Sequence, residues 1–319
     1  MSRRNPTVEA THGRRGLDAS ATLTGDVRRR RKEARVRGIL FGAAATTVLV
    51  GAAIVFALVG EAWNFVTQVE LSKLWSLGWF PRRDFFDVRT IVLGTVIIAG
   101  IAMVVATPLG LGAAIYLSEY ASPRARRIFK PIVEVLAGIP SVVLGYFALT
   151  WISPNLVQRL FTANTFNMAA AGIGVGVLVT PLVAAVTEDA LRAVPVSLRE
   201  ASYGLGARRG ETVRKVVLPA AVSGIVASLI LGVSRAIGET MVVAMAAGAT
   251  GGSLLQMNPL EPGQTMTAAM TALAIGSDQV AGSGLAFQSL FFVGLLLFAM
   301  TLVLNIIGDR FVRRVREKY

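Results

Sequence analysis

The chain has 319 residues, of which 54% are hydrophobic and 16% are charged, with 32 Lys and Arg against 19 Asp and Glu and a formal net charge of +13. Soluble domains carry about 25% charged residues, so this composition argues against a soluble globular protein. The absence of cysteine and the single histidine, His12, argue against a disulfide scaffold, a cysteine-ligated metal site and a histidine-based catalytic centre.

Residues 1–37 form a polar, basic segment without any apolar period. The segment carries 11 basic residues, among them the run from Arg28 to Lys32. Low hydrophobicity and high charge are typical of disorder, so we expect a disordered tail that lies near anionic lipid.

Long stretches without charged residues follow and alternate with polar segments. A helix needs about 20 apolar residues to cross the hydrocarbon core of a bilayer. None of the stretches shows the strict alternation of membrane barrel strands. The sequence therefore predicts an all-α polytopic membrane protein with six transmembrane helices, at about 38–60, 90–117, 132–151, 168–187, 219–248 and 286–308.

The distribution of Lys and Arg predicts the orientation of these helices. Of the 32 basic residues, 26 fall before the first helix, in segments 118–130 and 188–218, or after the last helix. Because Lys and Arg accumulate on the cytoplasmic side, we expect both termini to be cytoplasmic, with short basic tails at 1–37 and 309–319. This topology accounts for the basic charge, so we expect no nucleic-acid partner.

Two segments are predicted to lie on the outer side. Segment 61–89 is expected to be a short helix or loop lying flat at the interface, because tryptophan favours that position. Its tryptophans are Trp63, Trp75 and Trp79. Segment 249–285 has the acids Glu261 and Asp278 and no basic residue, and a short helix is predicted over 265–275.

The longest cytoplasmic connection, residues 188–218, is predicted to contain an amphipathic helix. An apolar stripe at helical spacing comprises Leu191, Val194, Leu198 and Leu205. Pro195 favours a helix start, because its missing N–H is not needed in the first turn. Gly204 and Gly206 then favour a helix end or a close approach of another surface.

The same connection carries a recognisable motif. It reads Glu200-Ala201-Ser202, three residues, Gly206, nine residues and then Val216-Val217-Leu218-Pro219. The stretch resembles the EAA signature of ABC importer permeases, E-A-A, three residues, G, nine residues, I-x-L-P, with Ser202 and Val216 as mild departures. The resemblance implies a coupling helix that docks in a groove of a cytoplasmic ATPase through Glu200, Ala201, Ser202 and Gly206. The alternative is a surface helix held against lipid.

Arg235 and Glu239 are the two charged residues between Val216 and Leu260. An arginine near the middle of a span costs at least about 2.5 kcal/mol, so it is expected to face the bundle interior or a water-filled path. Spacing of i, i+4 lets the two side chains pair, and a guanidinium suits phosphate oxygens. We predict a substrate-pathway site that comprises Arg235, Glu239, Thr240 and Ser234. The alternative is a purely structural ion pair.

Two further stretches resemble one subfamily. Residues 234–240 read S-R-A-I-G-E-T, similar to the R-A-x-G-E-T signature of phosphate importer permeases, and residues 134–145, E-V-L-A-G-I-P-S-V-V-L-G, resemble the third helix of that family. The chain thus resembles the permease subunit of a phosphate ABC importer, of the PstC type rather than the companion PstA type. The resemblance implies the type I importer, MetI-like fold in a bacterial inner membrane, with 38–308 as the permease domain.

The resemblance also implies the partners. They are a cytoplasmic ATPase dimer of the PstB type, a second permease of the PstA type, an extracytoplasmic phosphate-binding protein of the PstS type and the lipid bilayer. The sequence has no G-x-x-x-x-G-K-[ST] phosphate loop, so ATP and magnesium are expected in the ATPase, and no cofactor, metal site or catalytic residue is expected in this chain. The alternatives are a permease for molybdate or sulfate, or a stand-alone secondary transporter.

Overall fold

The structure is a computed structural model that describes residues 27–248, 252–275 and 284–315. The side chains of residues 27–31 and 315 are outside this description, as are Asp278 and the predicted tail over residues 1–26. The chain divides into two units, Met1–Phe56 and Ala57–Tyr319. The helices are α1 (Val27–Gln68), α2 (Val88–Tyr120), α3 (Pro123–Ala137), α4 (Ser141–Leu160), α5 (Met168–Arg192), α6 (Val196–Gly204), α7 (Arg209–Ala220), α8 (Val222–Ile237), α9 (Met241–Ala246), α10 (Met266–Ala274) and α11 (Leu285–Val315).

In the described part of the first unit, α1 exposes its apolar side chains all round. Ile39, Phe41 and Phe56 are each more than two thirds exposed. A helix that is apolar on every side and unburied is typical of a lipid-facing span. The helix begins at Val27 rather than at residue 38, because the predicted tail ends in the good helix formers K-E-A-R, which extend the helix.

In the second unit, α2 and α8 pack against α5 and against each other, and α5 contributes much of the core. Small residues bring the backbones together. A Cβ added at Gly172 would lie 2.7 Å from the Cβ of Ile101, and one at Gly176 would lie 2.7 Å from the Cβ of Val105. Such close approach of small residues is the usual way in which helices associate in lipid.

Among the described residues, four helices are long and apolar enough to cross a membrane: α2, α5, α11 and the part of α1 at Lys32–Gln68. Two bent pairs, α3 with α4 at 89° and α7 with α8 at 69°, raise the number to as many as six. The predicted all-α polytopic fold is confirmed, and the third and fifth predicted spans correspond to the two bent pairs.

The breaks correct the predicted bounds of the third and fifth spans. The helix predicted at 132–151 begins at Pro123 and is interrupted between Ala137 and Ser141, because Gly138 ends α3 and Pro140 has no N–H to continue it. The helix predicted at 219–248 is interrupted at Ala221 and again between Ile237 and Met241.

A small antiparallel sheet closes the end of the second unit at which α2 begins. Its strands are β1 (Gly78–Phe80), β2 (Phe85–Phe86) and β3 (Ser253–Leu254), in the order β2-β1-β3. Trp79 pairs with Phe86 on one side and with Ser253 on the other, and it is buried against an aromatic cluster. Segment 61–89 was predicted to be a short helix or loop lying flat at the interface. This was wrong for residues 78–86, which contribute β1 and β2 and bury Trp79 in the core. The predicted helix at 265–275 is present as α10.

Candidate anion pathway and coupling surface

The predicted ion pair lies at the second break. Arg235 Nη1 donates to Glu239 Oε2 at 2.8 Å. The Glu239 side chain is 3% exposed, whereas that of Arg235 is 46% exposed. Glu239 is the one hydrogen-bonding partner that the described residues give the Arg235 guanidinium, so most of its donors remain free. The pair therefore has a buried acid behind an accessible cation.

Glu239 also holds the chain at the break. Its Oε1 accepts hydrogen bonds from the backbone N–H groups of Met241 at 3.2 Å and Val242 at 3.4 Å, at the start of α9. The hydroxyl of Thr267 in α10 donates to the backbone carbonyl of Glu239 at 2.7 Å. A buried carboxylate needs such partners to offset its lost hydration. Glu239 thus joins α8 to α9 through its carboxylate and is held to α10 through its backbone carbonyl.

The other two predicted pathway residues are not joined to this pair. Ser234 Oγ donates to Asn305 Oδ1 of α11 at 3.1 Å, and Thr240 Oγ1 donates to the backbone carbonyl of Gly238 at 3.4 Å. Neither hydroxyl is hydrogen-bonded to Arg235. The structure brings together Arg235 and Glu239, while Ser234 turns toward α11 because it precedes Arg235 by about 100° around the helix.

The motif-bearing connection forms α6, which is amphipathic as predicted. Leu191, Val194 and Leu198 pack against a small cluster that includes Ala114 and Val217. Leu205 departs from the predicted stripe: it follows the end of α6 and is 90% exposed. Leu198 therefore packs toward α2 and α7, whereas Val196 and Tyr203 of the same helix stay exposed.

Three of the four predicted coupling residues lie at the surface. Glu200, Ala201 and Gly206 are exposed, and Gly206 has a φ of +82°, a conformation that glycine adopts without strain. Ser202 points inward instead, and its hydroxyl lies 2.9 Å from the hydroxyl of Thr212. We define the coupling surface as the exposed residues Val196, Glu200, Ala201, Tyr203, Leu205 and Gly206.

Two buried acids that sequence reasoning missed hold the helices near this surface together. The first is Glu119, at the end of α2. Its Oε1 accepts a hydrogen bond at 3.0 Å from Arg199 Nη2, which also donates to the carbonyl of Leu191 at 2.8 Å. Arg209 donates to the Glu119 carbonyl, and its guanidinium lies 5.2 Å from the Tyr120 ring centroid. Both α6 and α7 are therefore attached to α2.

The second acid is Glu188, near the end of α5, which is 2% exposed. It pairs with Arg126 of α3, with Lys130 Nζ at 3.4 Å and with Arg192 Nη1 at 3.9 Å. The sequence offered a signal for both acids, since Glu119 and Glu188 each directly follow a long uncharged stretch. Residues 118–130 and 188–218, which these acids join, are called the basic end below.

Within the described ranges, no group of three or more His, Asp or Glu side chains could hold a metal ion.

Residues 106–317 match the family described as binding-protein-dependent transport system inner membrane component. The phosphate transport system permease protein PstC of Pasteurella multocida is 31% identical over 82% of this chain and 86% of its own. The phosphate transport system permease protein PstA 1 of Mycobacterium tuberculosis is 34% identical over 70% of this chain and 71% of its own. A bacterial alginate ABC transporter of known structure matches with a TM-score of 0.62 at 16% identity, covering 90% of this chain and 98% of that chain. That likeness shows the fold.

Proposed function

The chain belongs to the family of binding-protein-dependent inner membrane components and is a permease subunit of a phosphate ABC importer, and we propose that phosphate passes beside Arg235 while partner ATPases drive the cycle. It is a multi-pass membrane protein. The PstC type is favoured over the PstA type, because a relative named PstC is matched over 82% of the chain and one named PstA over 70%.

The observation that carries the pathway proposal is an arginine that is half exposed within an apolar helix. A purely structural arginine in a span is expected to be buried and to use most of its N–H donors in hydrogen bonds to the protein. Arg235 instead is half exposed and donates one hydrogen bond, to Glu239. Its free edge can bind two oxygens of an oxyanion at once. Glu239 keeps the guanidinium oriented and lowers the net charge of the site, so that the anion can leave again.

The energy for transport would come from outside this chain. In the proposed arrangement the chain is non-catalytic, binds no cofactor, and docks a PstB-type ATPase dimer, which binds ATP and magnesium, on the coupling surface. Movement of α6 would pass to α2 through the Arg199–Glu119 ion pair, whose N···O distance is 3.0 Å. Glu188 joins α3 to α5 in the same region, so these helices would move together.

The orientation and the remaining partners are part of the same proposal. The basic end would face the cytoplasm, which follows the accumulation of Lys and Arg there. The sheet of β1, β2 and β3 would lie outside, where a PstS-type phosphate-binding protein delivers the anion. A PstA-type permease would complete the path opposite Arg235.

Uptake of labelled phosphate by cells that produce the complete importer tests the pathway role. R235A should abolish most uptake and R235K should retain part of it, because lysine keeps the charge but not the planar donor fork. The matched control is R313A, which breaks an exposed Arg–Asp pair of the same i, i+4 spacing, 2.9 Å long. Normal uptake by R235A would refute the role. Excess sulfate or molybdate tests the alternative cargoes, since their transport would reduce the phosphate signal.

A further inference from the structure

An open groove of about 620 Å³ lies at the basic end, between α3 and the ends of α2 and α5. Basic side chains dominate its polar lining: Arg126, Arg127, Lys130 and Arg192, with Glu134 as its acid. Leu117, Ala121 and Pro131 provide apolar walls. We call this cavity the basic groove. None of its residues belongs to the coupling surface or to the Arg235 site.

The charges in the basic groove do not balance. Glu188, behind the groove wall, is shared among three of the four cations, and one carboxylate cannot neutralise three positive charges. Arg127 has no ion-pair partner among the described residues, and Glu134 pairs with none of the four, although Lys130 is one helical turn away. Lys130 pairs with Glu188 instead. The groove keeps an excess of positive charge.

The excess positive charge lies on the open side of the basic groove. Glu188 is 2% exposed, whereas the side chains of Arg126, Lys130 and Arg192 are 24%, 36% and 51% exposed. The carboxylate thus lies behind the cations, whose outer donors face the cavity. The N-terminus of α3 also borders the groove at Pro123, and the dipole of this 15-residue helix adds partial positive charge there.

We propose that the basic groove binds a phosphate group, either as a free inorganic phosphate ion or as the headgroup of an anionic phospholipid. The arginine forks supply paired N–H donors that fit its oxygens, and its charge neutralises the excess that Glu188 leaves. Arg192 lies three residues before Pro195, where the chain enters α6, so a phosphate bound there would lie near the start of α6. The assignment rests on the groove itself and does not depend on Arg235 being in the transport path.

The experiment distinguishes a specific phosphate site in the basic groove from nonspecific attraction to a basic surface. The full-length chain is placed in nanodiscs, and R127A/R192A is compared with R124A, which removes a charge from α3 outside the groove lining. In one arm, inorganic phosphate is titrated in a phosphatidylcholine disc, with every protein also carrying R235A so that the pathway cannot contribute. In the other arm, retention of phosphatidylglycerol from mixed discs is measured by native mass spectrometry.

We expect R127A/R192A to weaken binding about tenfold or more in at least one arm, while R124A changes it little, because each charge near bound phosphate contributes several-fold. A response in the phosphate arm identifies the free ion, and a response in the lipid arm identifies the headgroup. Restoration by R127K/R192K excludes a folding defect. If the double variant does not fold, R127A alone should weaken binding several-fold, since Arg127 makes no ion pair in the described structure. The proposed site is overturned if R124A weakens binding as much as R127A/R192A does, or if none of the variants changes binding in either arm. Both outcomes are independent of the effect of R235A on phosphate uptake.

Discussion

Replacing Glu188 by glutamine removes the negative charge that joins α3 to α5. Breaking a buried ion pair by removing one partner costs about 3–5 kcal/mol. The three cations around Glu188 are 24–51% exposed, so water can rehydrate them in part. The amide also keeps the size of the side chain and can accept one hydrogen bond. We therefore expect E188Q to lower the free energy of unfolding by about 2 kcal/mol.

The absence of cysteine from the chain gives a direct assay for this loss. Ser289 in α11 is fully buried, so S289C places one thiol that a fluorogenic maleimide can label only when the helix bundle opens. Labelling is followed with rising temperature in the S289C background, with and without E188Q. A loss of about 2 kcal/mol should lower the midpoint by roughly 3 °C, because the entropy of unfolding grows with the length of the chain.

The matched control for this change is E134Q. Glu134 lies on α3 close to the same cations, but it is exposed and makes no ion pair in the described part of the chain. Its replacement should leave the midpoint within about 1 °C, as is usual for surface changes. If E188Q and E134Q unfold at the same temperature, the Glu188 cluster does not hold the basic end together, and the reasoning is refuted.

Three further predictions concern packing, the helix break and coupling. G176A should destabilise the protein by about 1–3 kcal/mol in the same labelling assay, because its Cβ would lie 2.7 Å from the Cβ of Val105; G100A, where nothing lies within 4 Å, should not. T267V should cost about 1–2 kcal/mol and reduce phosphate uptake, because it removes the 2.7 Å hydrogen bond to the Glu239 carbonyl, and T267S should restore both. R199A should lower the phosphate transported per ATP hydrolysed while the importer still assembles; an unchanged ratio would exclude the Arg199–Glu119 pair from coupling.

Local sequence properties predicted the spans well. α2 was predicted at 90–117 and is found at Val88–Tyr120, and α5 was predicted at 168–187 and is found at Met168–Arg192. Charge-free length alone determines such segments. The breaks were harder to predict, because they depend on partners elsewhere in the chain. A kink near Pro140 is a local property, but the break after Ile237 is held by the Glu239 carboxylate and by Thr267 from another helix.

The candidate site likewise combines features that the local sequence predicts with contacts that it does not predict. The Arg235–Glu239 pair was predictable because i, i+4 spacing is a property of one helix. The contact of Ser234 with Asn305 and that of Arg199 with Glu119 join residues 71 and 80 positions apart, and nothing in the local sequence specifies either contact. Basic residues that were interpreted only as orientation signals therefore also hold helices together. The inward turn of Ser202 toward Thr212 depends in the same way on the packing of α6 against α7.

Contact of Arg235 with the transported anion, while partner ATPases supply the energy, is the central proposal for this chain. It is tested most directly by the ratio of phosphate transported to ATP hydrolysed, measured in proteoliposomes that contain the complete importer with its phosphate-binding protein. We expect R235A to lose most phosphate transport while ATP hydrolysis continues, so that the ratio falls at least tenfold, and R313A to keep the ratio of the unmodified importer. An unchanged ratio in R235A would contradict the claim and leave the ion pair with Glu239 as a structural feature alone.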